Sequence, residues 1–230
     1  HYRATYTCTG GGCDGATSNI SIVNVVADPT ISITAGPQTV CVGGDATLTA
    51  SPAGGTGTCT IQWQSSPDGN APWTNVGTNS TTFVPVTTTP GTVHYRATYT
   101  CTGGGCDGAT SNVSIVNVVA DPTITITAGP QTVCVRGDAT LTASPAGGTG
   151  TCTIQWQSSP NGNAPWTNVG TNSTTFVPVT TTPGTIHYRA TYTCTGGGCD
   201  GATSNVSIVN VVADPTISIT AGPQTVCVGG

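Results

Sequence analysis

The stretch that decides the fold reads HYRATYTC at residues 94–101, from His94 to Cys101. The same eight residues begin again at His1 and at His187, so the chain repeats itself with a period of 93 residues. A repeat of that length is about the size of a single β-sandwich domain. The period therefore predicts a tandem array of similar domains.

The two complete copies of the repeat, residues 29–121 and 122–214, are nearly identical. They differ at only four pairs of positions: Ser32/Thr125, Gly43/Arg136, Asp68/Asn161 and Val93/Ile186. Each difference is conservative or falls in a predicted turn. The two copies are therefore expected to share one fold.

The boundary between repeats is placed at the Asp-Pro pair that recurs at Asp28, Asp121 and Asp214. Proline lacks a backbone N–H and restricts the residue before it, so it separates two strands well. The expected layout is a C-terminal fragment of a repeat at 1–28, complete domains at 29–121 and 122–214, and an N-terminal fragment at 215–230. The link between domains is expected to be short and stiff.

Turn signals within residues 29–121 come every 8–12 residues, as in a sandwich of short strands. Thr, Val and Ser are abundant and Lys, Glu and Met are absent, which favours strands over helices. The first strand is expected to be split around Gly36 and Pro37. The predicted strands are residues 31–34, 39–42, 46–50, 58–65, 73–76, 81–86, 92–100 and 111–119.

Three sequence features of the repeat resemble the immunoglobulin pattern: a core residue at Leu48, a buried Trp at Trp63 and a corner Tyr at Tyr95. The repeat gives the same roles to Leu141, Trp156 and Tyr188. Together with VCxGxxxTLTA, WQSS, YR and TSN, these motifs resemble the bacterial immunoglobulin-like tandem repeats of large exported surface and adhesin-type proteins. The resemblance implies an all-β fold of tandem immunoglobulin-like β-sandwich domains with about seven strands each. Leu48 and Ala97 stand where antibody domains carry their core disulfide, so that bond is absent.

Eleven cysteines with repeating spacing and without a CxxC pair indicate disulfides made in an oxidising, extracellular setting. The resemblance implies that Trp63 lies opposite Ala97 on an antiparallel strand. That register places Cys59 opposite Cys101, and a Cys59–Cys101 bond is expected, with Cys152–Cys194 in the next repeat.

Two pairings remain open for the other cysteines, Cys41, Cys106, Cys134 and Cys199. Cys41 and Cys106 fall at opposite ends of a regular sandwich, too far apart for a bond unless the first strand is irregular. An in-domain Cys41–Cys106 bond and an inter-domain bond from Cys41 to Cys199, or to a neighbouring chain, are equally consistent with the sequence.

Catalytic, metal and cofactor sites are not expected. His94 lies at the start of a strand and lacks the nucleophile and orienting carboxylate of a triad. Asp121 at the domain junction offers too few oxygen ligands for calcium. Four Arg and no Lys argue against nucleic acid, and no apolar run is long enough to span a membrane. Chance Asn-x-Ser/Thr sequons, such as those at Asn79 and Asn112, leave glycosylation open.

The predicted function is that of a structural subunit of an extracellular fibre built from stacked, disulfide-stabilised repeats. The alternative is the stalk of a cell-surface adhesin whose binding tip lies elsewhere. Near-identical repeats favour both over an enzyme, because a single active site has no need to be copied. The expected partners are neighbouring repeats or chains, and also cell-surface or glycan ligands.

Overall fold

A computed structural model describes residues 1–12, 14–36, 38–77, 79–170 and 172–229 of the chain. Within these residues every regular element is a β-strand, in agreement with the composition. At the N-terminus, β1 (Thr5–Tyr6) and β2 (Ala16–Thr17) form an antiparallel hairpin.

The first repeat contains nine strands, β3 to β11. They are β3 (Thr30–Ile33), β4 (Gln38–Cys41), β5 (Leu48–Ala53), β6 (Cys59–Ser66), β7 (Thr74–Asn75), β8 (Thr82–Phe83), β9 (Gly91–Cys101), β10 (Ala109–Thr110) and β11 (Ser114–Val119).

The second repeat contains the nine equivalent strands, β12 to β20. They are β12 (Thr123–Ile126), β13 (Gln131–Cys134), β14 (Leu141–Ala146), β15 (Cys152–Ser159), β16 (Thr167–Asn168), β17 (Thr175–Phe176), β18 (Gly184–Cys194), β19 (Ala202–Thr203) and β20 (Ser207–Val212).

Each repeat arranges its strands in two sheets. In the first repeat the sheets have the orders β3-β5-β8 and β4-β11-β9-β6-β7, and β10 also pairs with β9. The second repeat has the orders β12-β14-β17 and β13-β20-β18-β15-β16. The first strand of each repeat is divided between the two sheets, and its second half is the neighbour of the last strand. In the second repeat this pairing, β13 with β20, is parallel. This is the immunoglobulin-like sandwich that the sequence predicts.

The core of each sandwich is built around a tryptophan. Leu48 and Trp63 are 0% exposed and Tyr95 is 6% exposed. The Trp63 ring stacks on Phe83 with 5.7 Å between ring centroids, and Phe83 meets Tyr95 at 5.5 Å. The buried Trp63 Nε1 donates to the Ser80 carbonyl at 2.9 Å, so its polar atom is satisfied. Leu141, Trp156 and Tyr188 are buried in the same way in the second repeat.

Gly77 allows the chain to pass directly over this tryptophan. A Cβ at Gly77 would lie 2.7 Å from the Trp63 Cβ, closer than two non-bonded carbon atoms can approach.

Burial raises the pKa of the Tyr95 and Tyr188 hydroxyls.

Three predicted strands differ from the observed ones. The strands expected at 73–76 and 81–86 shrink to two residues each, β7 and β8. Pro85 has no N–H to donate to a ladder, and Val84 and Val86 beside it are exposed. The strand expected at 111–119 begins only at Ser114, as β11, and β10 lies before it, while the turn expected at Pro37 lies outside the described residues.

The chain divides into two compact units whose limits differ from those of the repeats. The first comprises His1–Gln38, Thr47–Pro85 and Thr92–Val116, and the second comprises Thr39–Ala46, Val86–Gly91 and Asn117–Gly230. The segment around Cys41 thus belongs to the second unit, and the bonds made by Cys41 explain why.

Candidate functional site

Two cysteine pairs lie directly across neighbouring strands. In the β6–β9 ladder Trp63 lies opposite Ala97 and Cys59 lies opposite Cys101. The structure joins Cys59 to Cys101 with 4.0 Å between their Cα atoms. The β15–β18 ladder repeats the register, and Cys152 is joined to Cys194 at the same Cα separation, 4.0 Å. Each bond fixes the end of the longest ladder in its repeat.

A third bond joins residues of different repeats. Cys41, at the end of β4, is bonded to Cys199, which follows β18, with 4.9 Å between the Cα atoms and 158 residues of chain between them. Both residues belong to the second compact unit. Cys41 is 0% exposed. Of the two pairings that the sequence left open, the structure thus contains the bond from one repeat to the next.

Backbone hydrogen bonds hold Cys41 in place on both sides. The Cys41 N–H donates to the Gly197 carbonyl at 2.9 Å. The turn that follows is closed by three further N–H donations: Val42 to Val119 at 3.0 Å, Gly43 to Thr87 at 2.9 Å and Gly44 to Cys41 at 2.9 Å. The cysteine is therefore presented by a fixed backbone and not by a loose loop.

Glycines allow the two backbones to approach each other. A Cβ at Gly44 would collide with the Gly197 carbonyl oxygen, and a Cβ at Gly198 would lie 3.0 Å from the Gly44 Cα. Gly197 and Gly198 also have φ values of 64° and 68°, which favour glycine. The GGG run before Cys199 thus forms a close backbone contact with the turn at Gly44.

Four described cysteines carry free thiols: Cys8, Cys106, Cys134 and Cys227. Cys106 is the repeat equivalent of Cys199, and Cys134 is the repeat equivalent of Cys41. The in-domain bond between Cys41 and Cys106 is absent, since Cys41 is bonded elsewhere and Cys106 is free.

The polar groups around His94 serve the turn after β6. Ser66 lies opposite His94 in the ladder, but its hydroxyl donates to the Asn70 carbonyl at 2.7 Å and lies 3.0 Å from Asp68 Oδ1. The backbone N–H of Asn70, followed by the Ser66 hydroxyl, holds the pKa of Asp68 below its usual value. The second repeat has Asn161 in place of Asp68 and keeps the same turn. The carboxylate is therefore dispensable for this geometry.

An arginine and a tryptophan stack on the outer face of each repeat. The Arg96 guanidinium lies 4.2 Å from the centre of the Trp73 ring, and Arg189 lies 4.3 Å from that of Trp166. The Arg96 Nε donates to Gln64 Oε1 at 2.8 Å. Trp73 thus packs beneath a charged side chain and is half-buried.

Asn112, one of the sequon asparagines, ties the segment between β10 and β11 to β3. Its Oδ1 accepts from the Ile33 N–H at 2.8 Å, and its Nδ2 donates to the Ile33 carbonyl at 3.2 Å. Asn205 makes the same pair with Ile126. A glycan would replace one of the two hydrogens on this Nδ2, and the other hydrogen would have to keep the bond to the Ile33 carbonyl. The sequon pattern indicates only a possible glycan acceptor, and the recurrence of Asn at this position of the repeat was the only sequence signal of its structural role.

In the described part of the chain, no group of three or more His, Cys, Asp or Glu side chains is placed to hold a metal ion. The same residues contain no helix with the length and apolarity needed to cross a membrane.

The two sheets, the strand-to-strand bonds and the bond between repeats define a tandem immunoglobulin-like protein with disulfides. The chain belongs to the family described as "Domain of unknown function (DUF8696)", whose model matches residues 30–120 and again 123–213.

Solved structures of other proteins are also similar to the chain. The N-terminal four Ig domains of Dscam1 isoform 8.4 match at 15% identity over 86% of this chain and 52% of that chain, with a TM-score of 0.40. The N-terminal eight Ig domains of Down Syndrome Cell Adhesion Molecule isoform 1.30.30 match at 14% identity over 87% of this chain and 30% of that one, with a TM-score of 0.42. The chain thus spans about half or less of the length of these structures. The search of curated proteins returned no match.

Proposed function

We propose that the chain is a structural segment of an extracellular fibre in which immunoglobulin-like repeats are stacked and bonded to one another. The proposed building unit is the 93-residue repeat, bounded at 29–121 and 122–214. Its function is mechanical and not catalytic, and its partners are repeats of the same kind.

The observation that carries this proposal is the bond from Cys41 to Cys199. A domain that works alone needs only bonds inside itself, such as Cys59–Cys101. A bond from one repeat to the next restrains the joint between them and passes tension across it. Three disulfides in one chain also support an extracellular location, where such bonds persist.

The residues between the repeats support a stiff connection. Pro122 is buried, and the Gly148 N–H donates to the Ala120 carbonyl at 2.9 Å. Linker residues that are packed and hydrogen-bonded have less freedom than a flexible tether. A short, packed linker beside a disulfide suits a fibre that must resist bending.

Electron microscopy of native material, with and without reductant, tests the proposal. A fibre gives ordered filaments with a repeat set by the 93-residue unit, and these bend more strongly after reduction because the inter-repeat bonds are cut. Thin isolated stalks that end in a head support the adhesin stalk instead. Separate compact particles of this protein in native material contradict both.

A further inference from the structure

The Cys41–Cys199 bond closes a covalent loop around most of the two complete repeats. The loop contains residues 42–198, and its two ends are 158 residues apart in the sequence. Both fully buried tryptophans, Trp63 and Trp156, lie inside the loop. Of the strands in the two repeats, β3, β4, β19 and β20 lie outside it. The centre of each sandwich core is therefore in a part of the chain that the disulfide bridges.

The other two disulfides are nested inside this loop. Cys59–Cys101 and Cys152–Cys194 each bridge 42 residues, and all four of these cysteines fall between residues 42 and 198. While the Cys41–Cys199 bond is closed, the shortest covalent route along the chain passes through neither of them. When that bond is open, the route passes through both.

A bond inside one repeat would have a different consequence. A Cys41–Cys106 bond would enclose only residues 42–105. The connection between the repeats, with its Asp-Pro pair at residue 121, would stay on the covalent route. The bond that the structure contains places this connection and both tryptophans in one loop.

The two ends of the loop are held together by the backbone as well as by the sulfur atoms. The Cys41 N–H donates to the Gly197 carbonyl at 2.9 Å, and a Cβ at Gly198 would lie 3.0 Å from the Gly44 Cα. Both cysteines belong to the same compact unit. Tension that arrives at Cys41 thus reaches Cys199 without first drawing a slack loop tight.

We propose that the Cys41–Cys199 bond is a tension bypass, through which a pulling force passes from Cys41 to Cys199 while residues 42–198 carry none of it. Folded domains are held by a small net free energy, so their strands separate under tension long before a covalent bond breaks. Force that enters before residue 41 and leaves after residue 199 can therefore lengthen only the residues outside the loop. This proposal rests on the mechanical function proposed above and says how the fibre resists stretching.

The bypass makes the extensibility of the chain depend on the redox state of one bond. Opening all three disulfides returns 158 residues to the route that carries tension. At ~3.5 Å per extended residue, the stretched chain then gains about 550 Å. A reduced chain is therefore much more extensible than an oxidised one.

Force spectroscopy of the 230-residue chain, pulled by its two ends without reductant, tests the bypass. All variants carry Ser in place of the cysteines outside the three bonds, which are Cys8, Cys13, Cys106, Cys134 and Cys227. The double variant Cys41→Ser/Cys199→Ser should stretch about 260 Å further than the chain with all three bonds. The loop adds 158 residues and the two nested bonds each withhold 42, which leaves a gain of about 74 residues. Equal stretched lengths would overturn the proposal.

The nested bond Cys59–Cys101 provides the matched control. Cys59→Ser/Cys101→Ser should leave the stretched length unchanged while Cys41 and Cys199 are present, because the bond lies off the route. In the Cys41→Ser/Cys199→Ser background the same change should add 42 residues, or about 150 Å. The stretched length depends on which bonds are closed and not on folding, so a destabilised variant still gives a valid result. Lengthening by Cys59→Ser/Cys101→Ser in both backgrounds would show that residues 42–198 carry tension and would contradict the bypass.

Failure of the bypass and failure of the fibre are distinguishable. Native filaments built from a chain whose residues 42–198 lengthen under force overturn the bypass and leave the fibre standing. Native material without filaments contradicts the fibre, whereas the stretched lengths of the single chain still support the bypass.

Discussion

The turns at Cys41 and Cys134 have nearly the same sequence and different surroundings. In the second turn Val135 donates to Val212 at 3.0 Å, Arg136 to Thr180 at 2.8 Å and Gly137 to Cys134 at 2.8 Å, as the equivalent residues do in the first. Yet Cys41 is buried in a disulfide, and Cys134 is an exposed thiol. The local sequence therefore determines the backbone conformation of the turn. Whether its cysteine is bonded or free depends on a loop far along the chain.

The largest expected difference between the turns comes from removing the Cys41–Cys199 bond. Cys199→Ser should lower the free energy of unfolding by up to ~5 kcal/mol, because the bond spans 158 residues and restricts the unfolded chain. The matched control is Cys134→Ser, which removes a free thiol and should leave stability unchanged. Denaturant unfolding without reductant measures both. Equal effects of the two substitutions would show that the bond does not distinguish the turns.

The tryptophan cores of the two repeats should lose similar stability when the ring is removed, in contrast to the two cysteine turns. Trp63→Ala and Trp156→Ala each remove a fully buried ring, so each should destabilise its own repeat by about 3–5 kcal/mol. Thermal unfolding followed by the fluorescence of the remaining tryptophans measures the loss. If one variant melts like the unchanged chain, its repeat has a different strand register.

The close backbone approach predicts a smaller, position-specific effect. Gly44→Ala should destabilise the joint by about 1–3 kcal/mol, since the new methyl group meets the Gly197 carbonyl. The matched control is Gly137→Ala, whose methyl group meets only its own turn, the nearest atom being the Cys134 carbonyl oxygen at 2.9 Å. The fraction of chains with the Cys41–Cys199 bond after refolding reports the difference. Equal bond yields for the two variants would remove the role given to Gly44.

The one sequence difference between the turns also has an expected effect. Arg136 has a φ of 64°, a conformation that a side chain disfavours, and its equivalent is Gly43. Arg136→Gly should therefore stabilise the second turn by about 1 kcal/mol. Limited trypsin digestion checks the same site, because the exposed Arg136 should be cut before the half-buried Arg96, which lies over the Trp73 ring. Faster cleavage at Arg96 would contradict the packed outer face.

The smallest expected effect concerns Asp68 and its counterpart Asn161. The folded pKa of Asp68 lies below its unfolded value, so its contribution to stability is present above the unfolded pKa and is lost as pH falls through the folded pKa. An NMR titration should show the Asn70 amide shifting in acid, and the Asn163 amide, which faces Asn161, staying still. An Asp68 that titrates at or above its usual pKa would contradict the hydrogen bonds of this turn.

Much of the fold could be predicted because it depends on repeated local signals. The 93-residue period, the Trp63 motif and the turn spacing predict an immunoglobulin-like sandwich, and the register opposite Ala97 places Cys59 beside Cys101. Strand lengths around Pro85 could not be predicted, since Val84 and Val86 look like strand residues until their exposure is known.

The sequence left Cys106, Cys199 and a cysteine of a neighbouring chain open as partners of Cys41, and it could not choose among them. Cys106 and Cys199 lie in identical loops, so their chemistry is the same and only their distance from Cys41 differs. The two hydrogen bonds between Asn112 and Ile33 were not predicted, for a related reason. The sequence context of Asn112 suggests a surface sequon, and only the position of Ile33 in space reveals its hydrogen-bond partners.

Disulfide mapping of the native protein tests the central claim that successive repeats are bonded to each other. A protease that cuts before Asp, used without reductant, separates the candidates by size, because Cys41 falls on residues 28–44, Cys106 on 68–106 and Cys199 on 138–199. The account predicts that peptide 28–44 is linked to peptide 138–199 through the Cys41–Cys199 bond. Linkage of peptide 28–44 to peptide 68–106 would place the bond inside one repeat and contradict the account.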